Sequence, residues 1–312
     1  MIVRAKQLRA FDADSPVTLE SRIGGYEAAE ARDGAVQAAY RSVADLIGAQ
    51  SRNIAFTENA TASFSQALSS IPLERGDVIL TTRNDYASNQ IQLLSLQARL
   101  GVQILRAPDR SEGGMDVQAM AELIRRRRPK LVCVTHVPTN SGLIQDVHAI
   151  GSVCRDTGVL YLVDACQSIG QLPIDVAQVQ SDFLSASARK YLRGPRGAGF
   201  LYVSDRVLDQ GLEPLYIDMR GADWIAADRY RARPDARRFE NWEFAWALVL
   251  ATGEAAVMPR QSVLSRSGAG SQAWPAACAR GSTISGRFAY SIAVANCAGS
   301  SLPPSPAMIL PH

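Results

Sequence analysis

The middle of the chain alternates short apolar runs with longer segments in which apolar residues recur at helical spacing. Short apolar runs bounded by turn residues are typical of buried strands. They lie at Ile54–Phe56, Val78–Thr82, Val102–Arg106, Leu131–Thr135, Leu160–Val163, Phe183–Ala186 and Gly199–Val203. Helix-length segments separate most of them, at Ala60–Ser69, Ser88–Leu100, Val117–Arg128 and Val147–Thr157.

This alternation predicts an α/β fold with a mostly parallel seven-stranded sheet between helices. Right-handed crossovers place the helices on both faces of such a sheet. The run Gly199–Val203 follows Phe183–Ala186 after a link rich in Gly, Pro and Arg that has no room for a crossover helix. We therefore expect this one strand to pair antiparallel. Gly101 and Gly158 come directly after two predicted helices, where left-handed end caps are common.

The pattern changes at both ends of the chain. A helix pattern begins at Phe244–Ala251, but from residue 255 to His312 there is no Asp, Glu or Lys. We divide the chain into an atypical N-terminal segment (1–18), a large domain (19–256) and a low-complexity tail (257–312). Natural disordered tails usually carry both charges. Our hypothesis is therefore that a shifted reading frame encodes this tail, and the same frame in close relatives would refute it.

Composition narrows the class of protein. The chain has 312 residues, of which 47% are apolar and 20% charged, and this is typical of a soluble globular protein. A net charge of +3 favours neither nucleic acid nor an acidic membrane as a partner. No apolar stretch approaches the roughly 20 residues of a membrane span, and Met1–Ala10 lacks a signal core, so we expect a cytoplasmic protein.

Cysteine and histidine are too few and too scattered to indicate a metal site or a disulfide framework. The five cysteines form no Cys-x-x-Cys pair, and the number is odd. The three histidines are far apart in the sequence. We therefore predict no metal.

Ligands of a parallel sheet bind beyond the carboxyl ends of its strands. After the first predicted strand, Thr57–Thr61 opens a helix with small and hydroxyl residues, which suits a phosphate but is also an ordinary helix cap. Asp164 follows the strand Leu160–Val163 directly. A buried acid needs a partner, and a protonated ring nitrogen is one, although an Asp after a strand is common.

Lys190 is one of only three lysines, and it follows the strand Phe183–Ala186 in a turn rich in Ser and Arg. By itself it fits a solvated surface lysine as well as a nucleophilic amine. One helix–strand unit separates it from Asp164, so both are expected at neighbouring strand ends. An imine lysine, a carboxylate for a ring nitrogen and an anion cradle are what pyridoxal phosphate (PLP) requires.

With these residues the sequence resembles the class V aminotransferase family of fold-type I PLP enzymes. The resemblance spans roughly Leu19 to Ala251, and the motifs that carry it are Val163-Asp164-Ala165-Cys166-Gln167, Ser187-Ala188-Arg189-Lys190 and Gly194-Pro195-Arg196-Gly197. The family includes cysteine desulfurases, selenocysteine lyase, isopenicillin N epimerase and carbon–sulfur lyases. Ile23–Glu30, taken with Ser187–Lys190, most resembles the hercynylcysteine sulfoxide lyase branch.

The resemblance implies pyridoxal 5'-phosphate as the cofactor and assigns residues to it. Lys190 would form the Schiff base and carry the substrate's α-proton, and Asp164 would keep the ring nitrogen protonated. The other implied cofactor-binding residues are Gln167 and Thr139 at the phenolic oxygen, Tyr86 stacked on the ring, and Ala60, Thr61, Ser187 and Arg189 at the phosphate. For His136, strand-end packing and a catalytic role both remain open.

The resemblance also implies an amino-acid substrate and elimination at a carbon–sulfur bond. Transamination and epimerisation remain alternatives, as does an inactive remnant that only binds PLP. Family members form homodimers, to whose phosphate site Arg220-Gly221 is expected to contribute. Residues 257–312 do not resemble the family's small C-terminal domain, which supplies a carboxylate-binding arginine and, in desulfurases, a cysteine nucleophile. We therefore assign no role to Cys278 or Cys297.

Overall fold

The structure is a computed structural model, and it describes residues 22–258. The predicted N-terminal segment (1–18) lies outside the described residues. So do residues 259–312, with Cys278 and Cys297.

Nine helices and nine strands make up the described part of the chain, apart from short 3₁₀ turns. The helices are α1 (Gly25–Ala31), α2 (Asp33–Leu46), α3 (Ala60–Ser69), α4 (Ala87–Leu100), α5 (Val117–Arg127), α6 (Val147–Thr157), α7 (Val176–Val179), α8 (Asp205–Asp209) and α9 (Trp246–Met258). The strands are β1 (Ile54–Thr57), β2 (Val78–Thr81), β3 (Gln103–Arg106), β4 (Leu131–Thr135), β5 (Leu160–Asp164), β6 (Phe183–Ser187), β7 (Gly199–Val203), β8 (Ala222–Ala226) and β9 (Arg229–Ala232).

Seven strands form one sheet in the order β1-β7-β6-β5-β4-β2-β3. The neighbours from β6 across to β3 pair in parallel, whereas β7 is antiparallel to both β6 and β1. The mostly parallel seven-stranded sheet and its single antiparallel strand are therefore confirmed. The link from β6 to β7 is too short for a crossover, so β7 has to run back beside β6.

Helices cover both faces of this sheet, and each face has its own core. On one face α2, α5, α6, α7 and α9 pack with residues such as Tyr40 and Val163. On the other face α3, α4 and α8 pack with residues such as Phe64 and Leu162. Because β4, β5, β6 and β7 are buried along their whole length, they lack the apolar–polar alternation of a half-exposed strand.

The predicted elements agree with the observed ones to within one residue at each end, except at the last helix. Gly101 and Gly158 end α4 and α6 in the left-handed conformation, as expected. The last helix, α9, begins at Trp246 and continues through Met258, and the predicted division between the large domain (19–256) and the tail (257–312) stays a prediction. The residues of α9 itself are apolar on most sides of the helix, so no change in helical periodicity marks where it ends.

The hairpin β8–β9 was not among the predicted strands. Its two strands pair antiparallel, and most of their residues are exposed. Large apolar side chains stand on this hairpin and on the segment before it, with Trp224 81% and Tyr216 84% exposed. A strand that is exposed on both faces has no buried face to reveal it in the hydrophobic pattern.

A buried charged group fixes β1 to the rest of the molecule. The Glu240 carboxylate accepts hydrogen bonds from the Tyr40 hydroxyl (2.6 Å), the Phe56 backbone N–H (2.8 Å) and Arg220 Nε (3.0 Å). Burial raises the pKa of the Glu240 carboxyl, and the Arg220 charge opposes that shift. Since β1 leads directly into α3, this group also fixes where α3 starts.

Candidate functional site

Polar residues end several strands on one face of the sheet. Side chains alternate between faces along a strand, so Asp164 continues the row of Leu160 and Leu162, which face α3 and α4. By the same alternation Thr135 ends β4 and Ser187 ends β6 on that face. The carboxyl ends of the central strands therefore present a threonine, a carboxylate and a serine side by side.

Asp164 is the last residue of β5, rather than the residue after the strand as the sequence suggested, and it is only 3% exposed. Its Oδ1 accepts the backbone N–H of Cys166 (2.9 Å), and its Oδ2 accepts the side-chain amide of Asn89 (2.8 Å). Burial raises the pKa of the Asp164 carboxyl. These two donors and the Lys190 charge act against that increase, whereas Asp85 adds to it.

Lys190 lies in the tight turn that follows β6. The Arg193 N–H donates to the Lys190 carbonyl (3.0 Å), and the Gly194 N–H donates to the Ala188 carbonyl (2.8 Å). A second loop passes close behind this turn at Gly170, whose φ is +85°. A Cβ on Gly170 would lie 2.6 Å from the backbone of Leu192, so only glycine lets the two loops meet this closely.

A cavity of about 460 Å³ opens at this edge of the sheet. Its lining consists of Tyr86, Thr139, Gln167, Arg189, Lys190 and Tyr191. The volume lies within the roughly 300–1,000 Å³ that small-molecule sites occupy. Five of the residues predicted from the sequence are thus brought together.

Two contacts within the lining define its geometry. Lys190 Nζ lies 5.6 Å from the centroid of the Tyr86 ring. The Gln167 side-chain amide donates to the Thr139 hydroxyl (2.5 Å), although these residues come from different strand ends. The cavity is therefore bounded by an aromatic ring, an amine and a paired amide and hydroxyl.

The start of α3 joins the end of β6 beside this cavity. The Ala60 backbone N–H donates to Ser187 Oγ (3.3 Å), and Asn59 caps the helix by accepting from the Ala62 N–H (2.9 Å). Thr61 lies in the first turn of the same helix. Ala60, Thr61 and Ser187 are thus grouped with one another, but they do not line the cavity. Asp164 does not line it either and is buried at the end of β5.

His136 does not line the cavity and is 5% exposed. Burial, together with nearby His148, lowers the pKa of the His136 imidazole to about 4, so the ring is neutral at pH 7. The backbone N–H of His136 donates to the Asp164 carbonyl (2.9 Å), and its carbonyl accepts from Gln145 (2.9 Å). Of the two open alternatives, this environment favours strand-end packing.

Arg220, expected to reach a partner subunit, forms an ion pair within its own chain. Its Nε lies 3.0 Å from Glu240 Oε2, and its guanidinium lies 4.6 Å from the centroid of the Phe244 ring. The Arg220 side chain is thus paired within its own chain. A contribution of this segment to a second subunit remains a prediction.

Sequence reasoning missed Asn89 and Asp85, which contact the site directly. Asn89 is 2% exposed and bonds Asp164, while Asp85 accepts from Asn89 Nδ2 (3.1 Å). The sequence does contain an indication that Asn89 is buried. Asn89 lies four residues before the buried Leu93 of α4 and therefore on the same helix face. A polar residue in an apolar row indicates a buried polar contact.

Residues 22–258 contain neither a membrane-spanning helix nor a cluster of potential metal ligands. None of the helices there has both the length and the apolar character that crossing a membrane requires. Within the same residues, no three potential metal-binding side chains of His, Cys, Asp or Glu come together.

The family model for aminotransferase class V matches residues 19–258. Among curated relatives, the chain is 37% identical to cysteine desulfurase IscS of Proteus mirabilis over 182 residues, which cover 57% of this chain and 43% of that protein. It is 34% identical to a probable cysteine desulfurase of Methanothermobacter thermautotrophicus over 206 residues, which cover 66% of this chain and 50% of the relative. The chain thus spans about half the length of these relatives.

Solved structures show the same architecture. The apo cysteine desulfurase from Thermococcus onnurineus superposes with a TM-score of 0.71 at 27% identity, covering 77% of this chain and 60% of that one. A complex of the cystine C–S lyase C-DES with its product, cysteine persulfide, superposes with a TM-score of 0.69 at 23% identity, covering 77% and 64%. The fold, the strand-end residues and the family match agree: this chain belongs to the class V aminotransferase family.

Proposed function

We propose that this chain is a PLP-dependent enzyme that acts on an amino acid and cleaves a carbon–sulfur bond. The observation that carries the proposal is the placement of Lys190 and Asp164. Lys190 follows β6 and lines the cavity, and Asp164 is buried at the end of the adjacent strand β5. A primary amine beside a buried carboxylate at the carboxyl edge of a parallel sheet suits a cofactor with an aldehyde and a basic ring nitrogen.

The donor set around the cavity fits this cofactor. Lys190 Nζ would hold it as a Schiff base, and Asp164 would accept from its protonated ring nitrogen. Tyr86 would stack on the ring, and the Thr139–Gln167 pair would bind the phenolic oxygen. At the other end, the start of α3, with Ala60 and Thr61, and the side chains of Ser187 and Arg189 would bind the phosphate. The bound cofactor supplies an electron sink for a carbanion at the substrate's α-carbon.

The chain's own residues would transfer the proton, stabilise charge and position the substrate. Lys190 Nζ takes the α-proton and returns it, because its turn keeps the amine at the cavity wall. Asp164 would place a carboxylate at the cofactor's ring nitrogen, at a position that is shielded from solvent. The aromatic ring of Tyr86 limits the positions that a substrate can take over the cofactor.

Carbon–sulfur cleavage is supported by the relatives, since the two curated relatives described above are cysteine desulfurases or probable ones. The cysteines in residues 22–258 are Cys133, Cys154 and Cys166, and all three are buried. Burial raises the pKa of the Cys166 thiol to about 12 and raises those of the other two as well. These thiols therefore fit packing rather than the acceptance of sulfur from a substrate.

Three alternatives to carbon–sulfur cleavage remain. Two of them give other products, and the third gives none. Transamination and epimerisation use the same cofactor residues, and an inactive remnant would retain only PLP binding. The hercynylcysteine sulfoxide lyase branch remains a proposal about the substrate.

The test is to incubate the PLP-reconstituted protein with cysteine and with a cysteine sulfoxide conjugate. Release of a sulfur product, together with alanine or pyruvate, supports carbon–sulfur cleavage. Exchange of amino and keto acids without release of sulfur supports transamination. Loss of optical activity alone supports epimerisation. A protein that binds PLP yet changes none of these substrates is the remnant, and one that cannot take up PLP refutes the proposal.

We also propose that the protein is a homodimer located in the cytoplasm. Its proposed substrate is a small molecule, an amino acid. The exposed apolar side chains on β8–β9 and the segment before it support an interface there, namely Leu215, Tyr216, Met219, Trp224, Ile225 and Tyr230. Sedimentation at several protein concentrations tests this, and Trp224→Lys should shift a dimer toward monomer.

Gly199 should be required for cofactor affinity. A Cβ at this position would lie 2.6 Å from the Ala186 carbonyl oxygen, 2.7 Å from the Asn59 carbonyl carbon and 2.9 Å from the Ala60 nitrogen. Gly199→Ala should therefore move the start of α3 away from Ser187 and weaken PLP binding roughly tenfold or more. An absorbance titration of the apoprotein with PLP measures this.

Gly34→Ala is the matched control for Gly199→Ala. Gly34 lies in α2, and nothing lies within 4 Å of a Cβ added there. Alanine in a helix should leave PLP affinity unchanged and stability equal or slightly higher. Equal PLP affinity in the two variants would contradict the role given to Gly199.

A further inference from the structure

The Asp164 carboxylate has two hydrogen-bond donors of different kinds. One is the backbone N–H of Cys166, which belongs to the same chain segment as the carboxylate (2.9 Å). The other is the side-chain amide of Asn89, which comes from α4 (2.8 Å). A backbone donor is present whatever side chain follows Asp164. The Asn89 donor, in contrast, is present only because α4 carries an asparagine at this position.

Asp85 determines which way the Asn89 amide points. Asn89 Nδ2 donates to Asp164 Oδ2 and to Asp85 Oδ1 (3.1 Å), so both hydrogens of the amide have carboxylate acceptors. The opposite orientation would turn the amide oxygen toward two carboxylates and is therefore excluded. An uncharged side chain thus stands between two acids that would otherwise face each other.

Asp85 is itself held by several donors. Its carboxylate accepts from the Tyr86 backbone N–H (2.6 Å), the Gln90 side-chain amide (2.8 Å) and the Thr135 hydroxyl. These donors come from the start of α4 and from the end of β4. The chain of contacts thus runs from β4 through Asp85 and Asn89 to Asp164 on β5.

We propose that Asn89, oriented by Asp85, is a positioning residue that keeps Asp164 ionised and aimed at the ring nitrogen of PLP. This inference rests on the proposed function. A charge-assisted hydrogen bond stabilises the ionised carboxylate at a site where burial favours the neutral acid. Without the Asn89 donor, Asp164 holds a proton more tightly, and the proton shared with the ring nitrogen moves toward the carboxylate.

The charged and titratable groups that act on Asp164 set the direction of this effect. Asp85, from α4, favours the protonated acid, and Lys190, from the turn after β6, favours the carboxylate. The Cys166 thiol lies beside Asp164, and burial keeps it in its neutral form. Asn89 adds a donor without adding a charge, so it favours the carboxylate at any pH at which the protein is folded.

The test is nuclear magnetic resonance of PLP labelled with ¹⁵N in the ring, bound to the wild type and to Asn89→Leu. The wild type should give the signal of a protonated ring nitrogen. In Asn89→Leu the signal should move toward that of an unprotonated pyridine, with the apparent pKa of the ring nitrogen lower by about one unit. Asn89→Ala, which keeps a strong helix former at this position, serves if the leucine variant does not fold.

Leu93→Ala is the control for damage to α4. Leu93 is buried one turn further along the same helix and faces the same core as the site, but it takes no part in the hydrogen bonds that link Asp85, Asn89 and Asp164. It should lower thermal stability and leave the ¹⁵N signal at the wild-type position. A shift of the same size in Leu93→Ala and Asn89→Leu would overturn the positioning role, and so would a wild-type signal in both Asn89 variants.

Failure of this inference can be told apart from failure of the proposed function. If the wild type takes up PLP through Lys190 but the Asn89 variants leave the ring nitrogen protonated, only the inference fails. If the wild type takes up no PLP, the proposed function fails before the variants are compared.

Discussion

Lys190→Ala should abolish covalent attachment of PLP and lower turnover by on the order of 10³-fold or more. Among the described residues that line the cavity, Lys190 is the one with a primary amine, so its loss removes the group that would form the Schiff base. The purified wild type should show the visible absorbance band of lysine-bound PLP, and the variant should lack it. Reduction with borohydride followed by peptide mapping should find the cofactor on Lys190.

Lys130→Ala is the matched control. Lys130 is exposed and immediately precedes β4, at the edge of the sheet opposite the cavity. This variant should keep the absorbance band and full turnover. If the band survived in Lys190→Ala, or disappeared in Lys130→Ala, the assignment of the Schiff-base lysine would be wrong.

Asp164→Asn should lower kcat/KM by on the order of 10²-fold or more, because the uncharged amide cannot stabilise a protonated ring nitrogen at a position that is only 3% exposed. In this variant one of the two donors, Asn89 or Cys166, would face an uncharged amide oxygen and the other an NH2 group, so one bond would weaken and the other would be lost. PLP should still attach to Lys190. The measurement is steady-state kinetics together with the absorbance spectrum of the bound cofactor.

Asp182→Asn controls for the loss of a buried acid. Asp182 is also 3% exposed, and it immediately precedes β6, at the opposite edge of the same sheet. Its carboxylate accepts from the Tyr161 N–H (2.9 Å) and the Ser204 hydroxyl (3.2 Å). Asp182→Asn should reduce stability but leave kcat/KM per folded molecule unchanged. An equal loss of kcat/KM in both variants would show that Asp164 acts through the fold alone.

The central sheet was predictable because buried parallel strands are short continuous apolar runs between helices. The site was partly predictable for a related reason. Asp164 stands out in the sequence because a carboxylate directly follows an apolar run, and Lys190 stands out because the chain has only three lysines. Their positions relative to one another then follow from the pairing of neighbouring strands.

What sequence reasoning missed depends on contacts between distant residues or on the lack of periodicity. Asn89 and Asp164 are 75 residues apart, and nothing local in either segment shows that their side chains meet. The end of α9 was missed because its residues are apolar on most sides, and the hairpin β8–β9 because its strands are mostly exposed. Each of these features is set by tertiary packing.

The pairing of β1 with β7 has a consequence for the order of folding. β1 is the first strand in residues 22–258, yet its neighbour in the sheet is β7, with Ile54 opposite Tyr202. Pairings between residues so far apart in sequence form slowly, and the N-terminal part of a chain leaves the ribosome first. The start of α3, which follows β1, therefore meets Ser187 only after β6 and β7 have been synthesised. The proposed phosphate-binding group is thus completed late, and we expect no phosphate binding there by a nascent chain before then.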